Sequence, residues 1–577
     1  MRSAGSSVSR LVLLSSIAFS GSRSVAQNVQ PPALQIPSAI AEVVVVDAYV
    51  TDSKNRPVTD LRKEDFELRE DSQPVEITAF QGPSPAPAEA ESGTKPTAAG
   101  ATPAPAPTAP PEPFTVAIYV DRWLLSPAGR KRAIDQAIIL AESHIARGAR
   151  VTVIAEDKGL RPFTPLTSDP AVIREALTRV QGWATQSPGE SESRNVIENI
   201  KARIDMAEQS KECNEPPACV CVLPSLLTMV RGYATFRAVE VQQVSERLSF
   251  LVNALRGIAG RKALVYVSEG LEQRPGIQIY DQLTTICPEV LHKDASSISA
   301  AMQEIDASSV LAETVARANA ARVSFYPIDA RGLSGLSSAD IERGDRRYVA
   351  SAKTDGVKDA NLVNQYRYLA EQTGGFAMIR GLDPAAAMRR FDADARGHYV
   401  LGFVPDAPDG RTHSLFVGLV AKIRNTRNLD VRFRQSYFRA VLPARRGQRA
   451  LSALLFGLED DALHVRVSVG RTAPETARIH IGLPLTSLKP IDGVSPPEGR
   501  VQVVLSFRKD DAAENDVTVR EKTVSYSLEP AELARDAGER EIVIELPVST
   551  GGYEFAIGVE DLASGASSYL RSTLKAS

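Results

Sequence analysis

The sequence predicts a doubly wound parallel α/β domain flanked by all-β sandwich domains. Three observations carry that expectation. The first is length: 577 residues exceed one domain at about 100–200 residues each. The second is that residues 114–397 alternate continuous apolar runs with apolar residues at helical spacing, the pattern of a parallel sheet covered on both faces. The third is a period of two in residues 40–82 and again after residue 397.

Residues 1–26 read as a secretory signal peptide. Arg2 and Arg10 form the basic region, Leu11 to Phe19 the short apolar run, and Ser24-Val25-Ala26 the small-x-small cleavage pattern. Cleavage there removes three arginines and leaves 64 basic against 70 acidic residues. The whole chain carries a formal charge of −3, which argues against nucleic-acid binding. No later segment reaches the roughly 18 apolar residues of a membrane span. The expected location is therefore periplasmic or secreted.

Residues 40–82 form an N-terminal β segment. Glu42 to Val50 is a β-branched run, Asn55-Arg56-Pro57 a turn, and Phe66/Leu68 and Val75/Ile77 alternate with charge. About forty residues bury no core alone, so this segment needs strands from elsewhere. Residues 83–113 hold ten of the 37 prolines among Ala, Thr and Ser, and read as a disordered linker.

Residues 114–397 are the α/β domain. Phe114 to Val120 is an apolar strand ending at Asp121. Ser126-Pro127 and Asp169-Pro170 open helices as N-cap followed by proline. Val151 to Ala155, Ala263 to Val267 and Val323 to Ile328 are further strands, and Phe376 to Ile379 a short last one. Helices are expected through Ile134/Ile138/Ala141, Ile173/Leu177/Val180, Val241 to Leu255, Leu311/Val315/Ala318 and Leu362/Tyr366/Leu369, the last stopped by Gly374-Gly375. Two insertions, 181–235 and 272–297, interrupt the rhythm and hold Cys213, Cys219, Cys221 and Cys287.

In residues 398–438 the runs Leu415 to Ile423 and Leu429/Val431/Phe433 alternate strictly. These strands are expected to complete the 40–82 segment as one sandwich, with the α/β domain inserted between its halves. Arg445 to Arg449 reads as a basic boundary. Residues 451–577 again alternate, through about seven short strands, as an immunoglobulin-like sandwich.

The chemistry-bearing residues are sparse. The six histidines form no H-E-x-x-H and no evident triad, and no G-x-S-x-G, P-loop or G-x-G-x-x-G occurs. Cys219-x-Cys221 lacks zinc spacing. Export favours disulfides, with three connectivities open to four cysteines and Cys287 expected to bridge to the 213–221 cluster.

The order "VTDLRKEDFELREDSQPVEITAF", "FTVAIYVD", "GRKALVYVSEGL", "VSFYPIDARGL", "LAEQTGGFAMI" and "GHYVLGFVP" resembles the von Willebrand factor type A (VWA)-related proteins exported by bacteria, particularly acidobacteria. The resemblance implies a metal-ion-dependent adhesion site: D-x-S-x-S after the first strand, a Thr from a second loop, an Asp after the fourth strand. Here Asp121 matches the first Asp. Trp123 and Leu125 replace the serines, Ser126 lies one residue beyond, Thr164 and Thr167 stand for the Thr, and Glu269 holds the third-loop position. The implied site is degenerate. Asp121, Ser126, Thr167, Glu269 and Asp329 are the expected binding residues at the carboxyl rim of the sheet, with Asp121, Thr167 and Glu269 as ligands of a possible Mg²⁺ or other divalent cation. Asp329-Ala330-Arg331 also reads as an ion pair in a turn.

The expected function is a non-enzymatic adhesion or protein-interaction module of the cell envelope. The protein partner is unknown, and the sequence does not fix the oligomeric state. A metal-free structural scaffold is the alternative. A metal-assisted hydrolase using Asp121, Glu269 and Asp329 lacks a nucleophile and a nearby histidine.

Overall fold

The computed structural model describes residues 43–83, 114–156, 160–183, 189–210, 217–289, 306–331, 349–379, 384–405, 410–439, 442–491, 498–510, 517–527 and 538–576, with isolated positions between 296 and 303. The signal peptide, nearly all of the proline-rich linker and Cys213 lie outside the described residues. Val43–Ser577 forms one compact unit.

Four strands open the chain: β1 (Val44–Asp52), β2 (Phe66–Glu70), β3 (Gln73–Pro74) and β4 (Ala79–Gln81). Their partners come from more than 300 residues later: β10 (His398–Phe403), β11 (Thr412–Leu419), β12 (Leu429–Phe433) and β13 (Ser436–Phe438). One sheet runs β12-β1-β10-β4 and the other β13-β11-β2-β3. All these pairings are antiparallel. Val46, Ala48 and Val50 from one sheet meet Leu68, Leu415 and Val417 from the other in a shared core.

The α/β domain lies between those halves. β5 (Phe114–Val120), β6 (Arg150–Glu156), β7 (Leu160–Pro162), β8 (Arg261–Ser268) and β9 (Val323–Asp329) form one sheet in the order β7-β6-β5-β8-β9. All neighbours are parallel except the β6–β7 hairpin. Chain order reverses at β5, with β6 on one side and β8 on the other, so the switch point lies between the carboxyl ends of β5 and β8. The uninterrupted apolar run of β5 has a direct cause. Val116, Ile118 and Val120 pack on one face, and Ala117 and Tyr119 on the other.

Helices α1 (Pro127–Ile145) and α2 (Pro170–Gln181) cover the first face. α3 (Gly189–Gln209) and the short α4 (Ala218–Cys221) lead into α5 (Leu223–Leu255), a 33-residue helix about 50 Å long. The carboxyl half of α5 covers the second face through Val241, Leu248 and Val252. Its amino half leaves the sheet and forms a separate core with α3 and α6 (Ile277–Ile286). The second face is completed by α7 (Ser308–Ala320) and α8 (Val349–Gln372), and the first by α9 (Pro384–Arg396).

Three expected elements differ. Phe376 to Ile379 is not a strand; Met378 makes a single parallel bridge to Ile328. The alternation ending at Ile423 breaks after Leu419, and Ala421–Thr426 is a helical turn, α10. Leu419 and Ile423 are four apart, a spacing that fits a helix as well as a strand. The basic boundary is part of α11 (Leu442–Phe456). In that helix Arg446 meets Glu560 at 2.7 Å and Arg449 meets Asp460 at 3.2 Å.

The C-terminal sandwich comprises β14 (Asp460–Asp461), β15 (Arg466–Ala473), β16 (Thr476–Pro484), β17 (Glu498–Lys509), β18 (Thr518–Ser527), β19 (Glu539–Pro547), β20 (Tyr553–Asp561) and β21 (Ser567–Leu574). Its sheets are β14-β21-β20-β17-β18 and β15-β16-β19. Their inner residues, among them Ile479, Ile481, Val503, Phe555 and Ile557, form one core.

Candidate functional site: the carboxyl rim of the parallel sheet

Parallel strands bring their carboxyl ends to one rim, and the sequence places acids there. Asp121 follows β5, Glu269 follows β8, and Asp329 ends β9. The structure gives each a protein partner.

Asp121 is fully buried. Tyr266 Oη donates to its Oδ2 at 2.7 Å, and its own N–H donates to the carbonyl of Val267 at 2.9 Å. Burial, then the Asp121 charge, push the Tyr266 phenol well above its ordinary pKa, so it stays a donor. Ser126 is the N-cap of α1: its Oγ accepts from Gly129 N–H at 3.1 Å and donates to Glu269 Oε1. Glu269 is held from the other side by its N–H donating to Leu124 O at 2.8 Å. A carboxylate at this helix end is favoured by the helix dipole. Its approach depends on Gly129, where a Cβ would lie 1.9 Å from Glu269 Oε1 and 2.7 Å from Ala330 O.

Asp329 is bound in a fork by Arg331, Nε to Oδ1 at 2.9 Å and Nη2 to Oδ2 at 2.8 Å. Arg331 also reaches Asp359 at 2.5 Å. Burial works against the guanidinium charge, but the Asp329 hydrogen bond and charge raise the Arg331 pKa above its ordinary value. Behind this pair, Tyr366 Oη donates to Ser268 O at 2.8 Å, closing the rim between β8 and α8.

Thr167 is not at this rim. It bridges to Val151, which pairs in register with Val116 near the start of β5. That sets it back about 16 Å along the strand direction from Asp121, five strand residues away, and two strands to the side. Its Oγ1 accepts from Asp169 N–H at 3.0 Å, shaping the turn into α2. Thr164 lies in the bend after β7, beside the middle of β6, its Oγ1 accepting from Val153 N–H at 3.0 Å. The cause is β7, which folds the chain back antiparallel along β6 and returns both threonines toward the strand's beginning.

These donors do not fit a divalent cation. A hard cation needs several free oxygens converging at about 2.1–2.6 Å. Asp121, Glu269 and Asp329 are each engaged by a protein donor and form no three-ligand group. Among the described residues, the one such group is Cys219, Cys287 and Glu289. Its two sulfurs are joined to each other as a disulfide, which ties the start of α4 to the end of α6. Cys221 is also disulfide-bonded.

Two rim arginines lie outside the residues that the sequence pattern points to. Arg122 follows Asp121, with its guanidinium 5.5 Å from the centre of the Trp183 ring. Arg130, on the second turn of α1, retains 7% exposure. No local pattern marks either one, because only tertiary packing buries a cation here.

No family model matches the chain, and no curated protein matches it. A solved structure similar to it is that of three N-terminal domains of the type V pili tip protein Mfa5 from Porphyromonas gingivalis, at 8% identity and a TM-score of 0.23, over 94% of this chain and 78% of that one. So remote a likeness decides neither fold nor function. Among the described residues, no helix is long and apolar enough to cross a membrane.

Proposed function

We propose that this chain is an exported protein-interaction module of the VWA-related kind, which presents the carboxyl rim of its parallel sheet to a protein partner without a metal ion and without catalysis. The observation that carries this reading is the self-neutralised rim. Asp121 is held by Tyr266, Glu269 by Ser126 and the α1 terminus, and Asp329 by Arg331. Such mutually fixed groups make a rigid, pre-organised face, which lowers the ordering cost of binding. The oxidised cysteines accord with export.

Two experiments test it. In the first, a photo-crosslinking residue replaces Arg132, which is exposed beside the rim, or Val543, exposed on the C-terminal sandwich. Both variants are expressed in the native cell. A discrete adduct from position 132 and none from 543 is expected; adducts alike from both, or from neither, remove the rim as the partner face. In the second, EDTA-stripped protein is heated with and without Mg²⁺, Mn²⁺ or Ca²⁺. A cation at 100 times its Kd would add about 2.7 kcal/mol. No shift is expected. A saturable shift that disappears in Asp121→Ala and Glu269→Ala would restore a metal-dependent rim.

A further inference from the structure

Among the described residues, every buried arginine but Arg130 has at least one hydrogen-bond acceptor for its side chain, although Arg237, Arg432 and Arg434 also leave a buried Nε open. Arg432 pairs with Asp394 at 2.6 Å, Arg237 with Glu272 at 3.2 Å, and Arg261 donates to Tyr49 Oη and Asp394 O. Arg130 retains 7% exposure, and both its Nε and its Nη1 lack a hydrogen-bond partner. The charge near it has the same sign: burial first, and then the Arg122 guanidinium, lower the Arg130 pKa. A buried guanidinium with open donors beside a second cation is unfavourable unless an anion completes it.

The carboxylates near this end of the sheet are committed elsewhere. Glu269 takes the Ser126 hydroxyl, Asp329 takes Arg331, and Glu156 faces Arg247 at 3.6 Å. Arg122 is fixed in place, stacked on Trp183 and donating to Glu156 O at 3.5 Å. The end of α2 closes the other side, where Gln181 Nε2 donates to Lys131 O at 3.3 Å. The two guanidiniums therefore stand among the end of β5, the start of α1 and the end of α2.

We propose that Arg130 and Arg122 form an oxyanion site, taking a carboxylate or phosphate group from outside the chain. A guanidinium presents a planar fork of N–H donors that matches two oxygens of such a group. One anion would satisfy the open donors of Arg130 and relieve its repulsion with Arg122. No metal ion takes part, and the site stands whether or not the rim is the partner face.

The test uses the mature 27–577 chain in EDTA at fixed ionic strength, with chloride exchanged stepwise for acetate or for phosphate. Unfolding temperature is followed for wild type, Arg130→Gln and Arg122→Gln. Wild type is expected to show a saturable rise with at least one of the two anions, and the anion that saturates identifies the chemistry. That rise should vanish in Arg130→Gln and need at least tenfold more anion in Arg122→Gln. In chloride alone, Arg130→Gln should unfold no earlier than wild type, since it loses an unmatched buried charge. Equal rises in wild type and Arg130→Gln, or none with either anion, overturn the site. So does a large fall or failure to fold of Arg130→Gln in chloride, because it would mean that the protein itself satisfies Arg130. The crosslinking at Arg132 reads the partner face separately, so the two readings fail by different results.

Discussion

Gly129 shows how tightly the rim is specified at single residues. It is the third residue of α1, and alanine is ordinarily favoured over glycine in a helix by up to about 1 kcal/mol. The added Cβ would instead enter Glu269 Oε1 and crowd the Ala330 carbonyl. Overpacking of this kind costs about 1–3 kcal/mol, so the contact outweighs the propensity. Gly129→Ala is therefore expected to lower the unfolding temperature. Adding Glu269→Ala should restore part of the loss, since one obstacle is a removable side chain and the other is backbone. Purely additive losses in the double variant would show that the Glu269 contact is not the cause. The same corner explains what a reading of residues alone reaches. Ser126 was legible as an N-cap because a Ser-Pro start needs only local geometry. The engagement of Glu269 by that serine joins positions 143 apart, and no spacing rule encodes it. The burial of Arg130 is equally non-local.

Whole elements were read well where one period dominates and poorly where two periods agree or where large apolar residues are consecutive. The runs of β5, β8 and β9 are continuous because both faces are covered, and the α/β class follows from them. The helix at 442–456 is hard to read because its amino half carries Arg445, Arg446 and Arg449 and its large buried residues Leu454, Leu455 and Phe456 are consecutive rather than periodic. The displaced Thr167 reflects a hairpin only three residues long on its return strand. The α3–α6 layer shows a different dependence. It has its own core, built from Ile204, Leu226, Val230 and Leu283, and the Cys219–Cys287 disulfide closes it across 68 residues of sequence. A loop of that length contributes about 4 kcal/mol by restricting the unfolded chain. Replacing both cysteines, Cys219→Ala with Cys287→Ala, should open this layer first. Limited proteolysis is expected to cut within 189–289 at protease levels that leave wild type intact, while the C-terminal sandwich fragment persists. Cleavage elsewhere first, or unchanged resistance, would mean that the layer is held by its packing alone.

At the scale of the molecule, two seams make one compact unit of the α/β domain and its flanking sandwiches. On the C-terminal side, α11 serves both neighbours: Leu455 and Phe456 enter the α/β core, and Ala450, Ala453 and Leu454 lie against the C-terminal sheet. Gly257 permits the approach, since a Cβ there would lie 2.3 Å from Gln448 O. On the N-terminal side the seam is ionic. Arg261 at the start of β8, Arg322 before β9 and Arg434 meet Asp47 and Tyr49 of β1, and His398 opens β10 among them. His398 Nε2 is 3.8 Å from Asp47 Oδ1, yet burial and the Arg261 charge lower its pKa from 6.5 to about 3. The histidine is thus mainly neutral in the folded protein through the mildly acidic range. The unfolded chain protonates it near pH 6.5. Between those values the unfolded state holds one more proton, so stability is fully present above pH 6.5 and falls as pH drops toward 3, at up to about 1.4 kcal/mol per unit. The Asp47 carboxyl, held below its ordinary 3.8, titrates under most of this window. His398→Gln keeps a neutral polar side chain and removes the proton. Unfolding temperatures at pH 7.5, 6.0 and 4.5 should therefore fall less steeply for His398→Gln than for wild type, by the equivalent of up to about 3 kcal/mol at the lowest pH. Parallel curves would show that His398 gains its proton without opening the seam, and that the charges around it are better compensated than their burial implies.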